Sequence, residues 1–230
     1  MVSIDTIYQR VLALTNKEQR GYVTPLEFNL LANQAQLDIF EQYFYDINQH
    51  ALKDDIGTEY SDTVDGLDEK IAIFETIAPV GGGTNLPNDL YRLGMVVVLV
   101  SGTEREAERI DQKDLLNALN SQLAKPTNAT PVYTRSGNLI NVVGNHGLTI
   151  TTGITCNYIR RPPPVEWGYN VVADKALYNA GASTHFQLHG SEETKLVIKI
   201  LELAGITVNK PGLVTIASQK EAGKIQQEKA

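Results

Sequence analysis

Residues 24–48 read TPLEFNLLANQAQLDIFEQYFYDIN, and the fold turns on them. Thr24 suits a helix N-cap and Pro25 suits the first helical position. Glu27 stands three residues after the cap, as in a capping box. The pattern predicts a helix from about Pro25 to about Asn48. Leu26, Leu30, Leu37, Phe40, Phe44 and Ile47 share one face at ~100° per residue, and Phe28, Leu31, Ala35, Ile39 and Tyr43 share roughly the opposite face. A surface helix shows one apolar stripe, whereas two mean burial on both sides. The helix is therefore expected at the centre of a bundle within one chain, or packed between subunits. In the second case Phe28, Leu31, Ile39, Tyr43 and Phe44 are the contact residues.

Upstream, Ile4, Ile7, Tyr8, Val11 and Leu12 recur at helical spacing, and Gly21 breaks the pattern. Downstream, residues 51–68 carry Asp54, Asp55, Glu59, Asp62, Asp65 and Asp68 and read as a linker or exposed loop with only local helix. Lys70 to Ile77 is short and rich in isoleucine, as a strand is. Tyr91 to Val100 is the strongest strand pattern, continuous and apolar and hence expected buried. Asp111 to about Ala124 reads as a helix capped by Asp111, with Asp114 in its first turn. Pro131–Thr134, a turn at Ser136-Gly137-Asn138, and Leu139–Val143 make a hairpin. Leu148, Ile150, Ile154, Cys156 and Tyr158 lie at even spacing on one further strand, with a bulge expected at Gly153. Arg160-Arg161-Pro162-Pro163-Pro164 ends it, because proline has no amide proton for a ladder. Ser191 can cap a helix whose apolar side is Leu196, Val197, Ile200, Leu201, Leu203 and Ala204, with Gly205 at its end. Pro211 opens a weaker helical pattern that turns almost wholly polar from Lys220.

These elements predict an α+β fold: a helical bundle, built from the long N-terminal helix and the C-terminal helices, with a small antiparallel β region inserted. Residues 1–68 and 172–210 would form the bundle, 69–171 the β-rich region, and 211–230 a C-terminal docking arm.

The chain has 230 residues, 42% hydrophobic and 20% charged, which fits a globular protein rather than a disordered, collagenous or coiled-coil one. No apolar run approaches ~18 residues, so no membrane-spanning helix is expected. Met1–Asp5 lacks the basic-then-apolar order of a signal peptide. A formal charge of −7 argues against non-specific nucleic-acid binding, which needs clustered Lys and Arg.

Few residues suggest chemistry. One cysteine, Cys156, excludes an internal disulfide framework and reads as a small buried hydrophobe rather than a nucleophile. His185 and His189 are four apart, as in a zinc pair, but no His-Glu-x-x-His motif holds them and Gly190-Ser191 follow at once, so no metal is expected. Gly81-Gly82-Gly83-Thr84 has the glycine of a phosphate loop without its Gly-Lys-Ser/Thr end. Arg160-Arg161 is either a solvated strand end or an anion or partner contact. The acidic run lacks the Asp-x-Asp-x-Asp-Gly order of a calcium loop. Neither catalytic residues nor a cofactor are expected.

Leu86-Pro87-x-Asp89-x-x-Arg92-Leu93 leads into the apolar strand, Tyr133 and Asn138-Leu139-Ile140 follow in the β region, and Phe186-Gln187-Leu188, the 191–204 helix and Ala217, Lys220 and Glu221 close the chain. This order resembles the head-to-tail adaptor proteins of short-tailed bacteriophages, the tail tubular protein A type, also called ring proteins in crAss-like phages. The resemblance covers most of the chain. It implies a virion protein at the head–tail junction, made in the host cytoplasm. Such proteins form a ring, a dodecamer, beneath the portal, joining capsid to tail and lining the channel through which DNA passes. It implies contacts with the portal and the next tail or ring protein, and none with a membrane. Leu213, Val214, Ala217, Lys220 and Ile225 would then lie on a portal-docking arm. Another tail or head completion protein is the alternative, and a cellular small-molecule binding protein or enzyme a third.

Overall fold

The computed structural model describes residues 1–17, 23–51, 58–82, 84–173 and 175–207. Its contacts divide the chain into two compact units, Met1–Ile73 with Pro162–Ala230, and Phe74–Arg161.

In the first unit, α1 (Ile4–Lys17) buries Ile4, Ile7, Tyr8 and Val11, the positions whose spacing predicted it. α2 (Pro25–Ala51) opens with the expected capping box: Glu27 Oε2 accepts from the Thr24 N–H at 2.9 Å, and Thr24 Oγ1 accepts from the Glu27 N–H at 3.3 Å. The backbone bond from Thr24, then its hydroxyl, hold the Glu27 carboxyl below its ordinary pKa. Only one broad face of α2 packs inward. α3 (Thr58–Ala72) stands where a loop was expected, and it absorbs Lys70–Ala72, which read as strand. Its acidic residues Asp65, Asp68 and Glu69 are solvated while Ile71 is buried.

The second unit overturns the expected fold class. A helical bundle with a small antiparallel insert is not what the chain forms: Phe74–Arg161 holds a mixed sheet of seven strands. These are β1 (Glu75–Pro79), β2 (Leu90–Val100), β3 (Thr103–Arg109), β4 (Val132–Ser136), β5 (Leu139–Val143), β6 (Thr149–Ile150) and β7 (Ile154–Arg160), in the order β1-β7-β2-β3-β4-β5-β6. Every pair is antiparallel except β3 with β4, where Glu108 aligns with Val132 and Arg109 with Tyr133.

Within this sheet the strand that sequence reading missed is β3. Its residues are Thr-Glu-Arg-Glu-Ala-Glu-Arg, and only Ala107 is buried. A two-residue loop, Ser101-Gly102, brings it back along β2. Both residues have positive φ, 51° and 79°, as the hairpin turn that matches strand twist requires. β2 itself is half-buried rather than sunken: Val96 and Val98 face the core while Met95 and Leu99 are exposed. The expected long strand over 148–158 is broken into β6 and β7. Gly153, at φ +69°, turns the chain between them. The β4–β5 hairpin forms as read.

The segment after β1 ties the far strands together. The Val80 N–H donates to the Ile154 carbonyl at 3.0 Å, the Ile140 N–H to the Thr84 carbonyl at 2.8 Å, and the Leu86 N–H to the Asn138 carbonyl at 3.0 Å. Inside lie Val80, Leu86, Val96, Val98, Ile140, Val142, Ile154 and Cys156. β1 is an edge strand. The Arg160 N–H donates to the Phe74 carbonyl, and Val80 donates to Ile154. By alternation the backbone groups of Glu75, Ile77 and Pro79 face away from β7. Pro79 has no N–H to offer there and Glu75 is charged, which blunts the edge against further pairing. α4 (Gln112–Asn120) is shorter than expected and buries none of its residues. Asp111 holds the cap position without a side-chain bond.

Pro162 returns the chain to the first unit. β8 (Tyr169–Val172) and β9 (Lys175–Tyr178) form a separate hairpin that sequence reading did not find. A 3-10 turn at Gly190–Glu192 leads into α5 (Glu193–Thr207), which runs through the expected stop at Gly205. α5 packs on α1 and α2. Arg10 joins it to α1 through a 2.9 Å ion pair with Glu193.

Candidate assembly surfaces

The residues expected at a subunit contact lie mostly inside the chain. Phe28, Ile39 and Tyr43 are at most 1% exposed, Phe44 is buried, and Leu31 is half-buried. Phe28 packs on Tyr8 with ring centroids 4.6 Å apart, and Phe44 meets Phe40 edge to face at 5.1 Å. The core takes the second stripe together with Phe40 and Phe44 of the first. Here the inward arc takes Phe28 through Phe44, and the outward residues are Leu26, Leu30 and Leu37. The arm residues Leu213, Val214, Ala217, Lys220 and Ile225 fall outside the described residues.

Each of the two histidines accepts a hydrogen bond from a backbone N–H. His185 Nδ1 accepts from the Ile4 N–H at 3.3 Å, and His189 Nδ1 accepts from the Ser191 N–H at 3.3 Å, capping the turn before α5. The chain between them is extended, with Phe186 bridged to Val2, so they do not share a helix face. Among the described residues no group of three His, Cys, Asp or Glu could hold a metal ion. Cys156 is fully buried, and burial, with Asp89 nearby, pushes its thiol pKa up, away from a reactive thiolate. Arg160 buries its Nε with no partner among the described residues, whereas Arg161 is exposed.

The Leu86–Leu93 motif has a structural use. The Asp89 carboxylate accepts from the Tyr158 hydroxyl at 3.0 Å, and the Asp89 carbonyl accepts from the Arg161 N–H at 2.7 Å. Asn138 Nδ2 donates to the Leu86 carbonyl at 3.1 Å, which completes a two-way bond with the loop of the β4–β5 hairpin. The motif therefore locks β2, β5 and β7 together.

Sequence reading also missed a cleft of about 440 Å³. It opens where β3 leaves β2 to pair with β4, beside an irregularity in β2 between Leu93 and Val96. Gly94 and Met95 line one side, and Glu106, Glu108, Arg109 and Tyr133 the other. Desolvation raises the Tyr133 pKa against the pull of Arg109 and Arg135, so its phenol stays neutral at ordinary pH. The cleft can accept or donate hydrogen bonds, but it holds no activated nucleophile. No signal for it existed while β3 was unread.

The β8–β9 hairpin exposes all four residues of β8. Its base is fixed by Trp167, whose ring stacks on Tyr169 at 5.8 Å and lies 5.8 Å from Tyr178. Beyond that base Val171, Val172 and Leu177 are 64%, 55% and 53% exposed.

No family model and no curated protein matches this chain. Among the described residues no helix is long and apolar enough to cross a membrane.

Proposed function

We propose that the chain is a structural virion protein: a head-to-tail connector that forms a ring beneath the portal, joins capsid to tail and lines the DNA exit channel. The observation that carries this reading is the β8–β9 hairpin. A two-stranded ribbon is marginal in water by itself. This one presents valine and leucine to solvent on both sides, as a subunit arm completed by a neighbour does. The resemblance to short-tailed phage adaptors supplies the identity of the assembly, a dodecamer bound to the portal and to the next tail or ring protein. The formal charge of −7 suits a channel that DNA must slide through without sticking. Its place is the head–tail junction of the virion, after synthesis in the host cytoplasm.

Light scattering on purified protein, alone at high concentration and mixed with portal, tests the reading. A ring-sized species in either case is the expected outcome. A strict monomer or dimer under both conditions would reject the connector. Binding of a small ligand in the Glu106–Tyr133 cleft would then favour a small-molecule binding protein.

A further inference from the structure

β2 and β3 part company at the cleft. They pair from Val100–Thr103 to Val96–Ala107. Beyond that rung β3 turns to β4, while Leu90–Met95 of β2 is registered with β7 alone among the described residues. The split lets side chains from both faces of β3 reach one cavity of about 440 Å³, within the ~300–1,000 Å³ of small-molecule sites.

Side chains alternate along a strand, so Arg109 belongs to the face of Ala107, and Glu106 and Glu108 belong to the opposite one. Arg109 is aligned with Tyr133 in the parallel ladder, and Arg135 lies two residues further along β4. The two arginines and the phenol therefore rise on one face. Burial raises the phenol pKa, and the charges that act on it are, in order of effect, Arg109, Arg135 and Glu106. The cleft is thus bipolar, with positive charge and a neutral hydroxyl at one end and two carboxylates at the other. Met95, on the β2 side, adds an apolar wall.

Tyr133 is 5% exposed and lines the cleft, and its hydroxyl has no hydrogen-bond partner among the described residues. A desolvated hydroxyl is costly to leave unpaired, which favours a ligand group that accepts from it. Arg109, Glu106 and Glu108 are exposed and form no ion pair among the described residues.

We propose that the cleft binds a small aminocarboxylate. Its carboxylate accepts from the Tyr133 hydroxyl and the Arg109 guanidinium, its ammonium is held by Glu106 and Glu108, and its methylenes lie on Met95. The guanidinium gives the stronger, charge-assisted bond, and the neutral phenol donates beside it without adding charge. A lone anion would meet the glutamates and a lone cation the arginines, whereas a zwitterion suits both ends. All of these residues lie in the Phe74–Arg161 unit, and the site does not rest on the connector reading.

Calorimetric titration of the full-length protein tests this. Glycine, 4-aminobutyrate and 6-aminohexanoate vary the distance between the two charges, and hexanoate and hexylamine supply one charge each. One of the three zwitterions should bind at least about tenfold tighter than both single-charge compounds. Tyr133→Phe should weaken that binding about tenfold, as loss of one hydrogen bond to a charged group does, and Arg109→Gln at least as much. Glu106→Gln with Glu108→Gln should remove the advantage over hexanoate. The arginine and glutamate positions are exposed, so their variants should keep the parent's urea midpoint and decide the matter even if Tyr133→Phe unfolds. No binding of any of the three zwitterions, equal binding of hexanoate or hexylamine, or unchanged affinity in Arg109→Gln would each overturn the proposal. Ring formation is scored separately by light scattering, so either reading can fail while the other stands.

Discussion

Asn33 on α2 holds both backbone polar groups of Val165: its Oδ1 accepts from the Val165 N–H at 2.8 Å, and its Nδ2 donates to the Val165 carbonyl at 2.9 Å. Asn29, one turn earlier, does the same for Trp167 at 2.8 and 3.4 Å. Gln36 donates to the Pro163 carbonyl at 2.9 Å. Residues 163, 165 and 167 alternate on an extended chain, and 29, 33 and 36 share a helix face. The helix thus plays the part of a neighbouring strand along one edge of this segment, while Glu166 bridges to Thr184 on the other.

Removing that amide should be costly. Asn33→Ala leaves the Val165 N–H and carbonyl without partners in a half-buried site, a loss of about 1–3 kcal/mol. Asn33→Asp keeps the acceptor and loses the donor, so it should fall between the two. Urea unfolding of the three proteins gives the order, and equal midpoints would show the ladder to be energetically idle.

The ion pair of Lys70 and Glu192 invites a double-mutant cycle. Glu192 is 2% exposed and its second carboxylate oxygen has no hydrogen-bond partner. Lys70→Met strands a buried carboxylate and should cost about 3 kcal/mol, the low end for a buried pair, because the lysine side chain is 21% exposed. Adding Glu192→Gln should recover part of the loss. A double mutant as unstable as the sum of the singles would mean that the charges do not interact.

High pH reaches the β unit through Tyr158. Burial, then its bond to Asp89, pushes the phenol up to about 12. The folded state therefore keeps this proton longer than the unfolded chain, whose phenol titrates near ~10. Stability from this group is complete below ~10 and is lost as pH rises from there to about 12. Tyr158→Phe should remove this part of the alkaline loss, measured as the difference in melting temperature between pH 9 and 11.5. An unchanged slope would assign the loss to other groups.

Legibility followed local chemistry. The Thr24–Glu27 capping box, the helical spacing of Ile4 to Val11, the Gly137 hairpin and the proline stop after Arg160 depend on neighbours in sequence, and all stood where they were read. What failed depended on distant contacts. β3 is a strand because β2 and β4 flank it, although its side chains are charged; the 58–72 stretch is a helix because one side of it packs. Asn29, Asn33 and Gln36 gave no signal, since their partners lie over a hundred residues away. The wheel of α2 drew two stripes and could not say that the core would take the second together with Phe40 and Phe44 of the first, leaving Leu26, Leu30 and Leu37 outside.

That last ambiguity sets the final prediction. Tyr43 and Phe44 lie one on each stripe, and Tyr43→Asp and Phe44→Asp probe both. Both side chains are buried in the same unit, so each variant should lose at least ~3 kcal/mol and unfold readily. The separation should appear at the hairpin instead. Val171 and Leu177 are more than half exposed, and a charge placed there costs the isolated fold no more than ~0.5 kcal/mol. In a ring that buries the hairpin, the same aspartate would be carried into an apolar contact and block closure. Val171→Asp and Leu177→Asp should therefore melt like the parent protein yet fail to form the large species in light scattering. Variants that assemble normally would place the subunit contact elsewhere, with the exposed sheet residues Ile77 and Leu99 the next surface to probe.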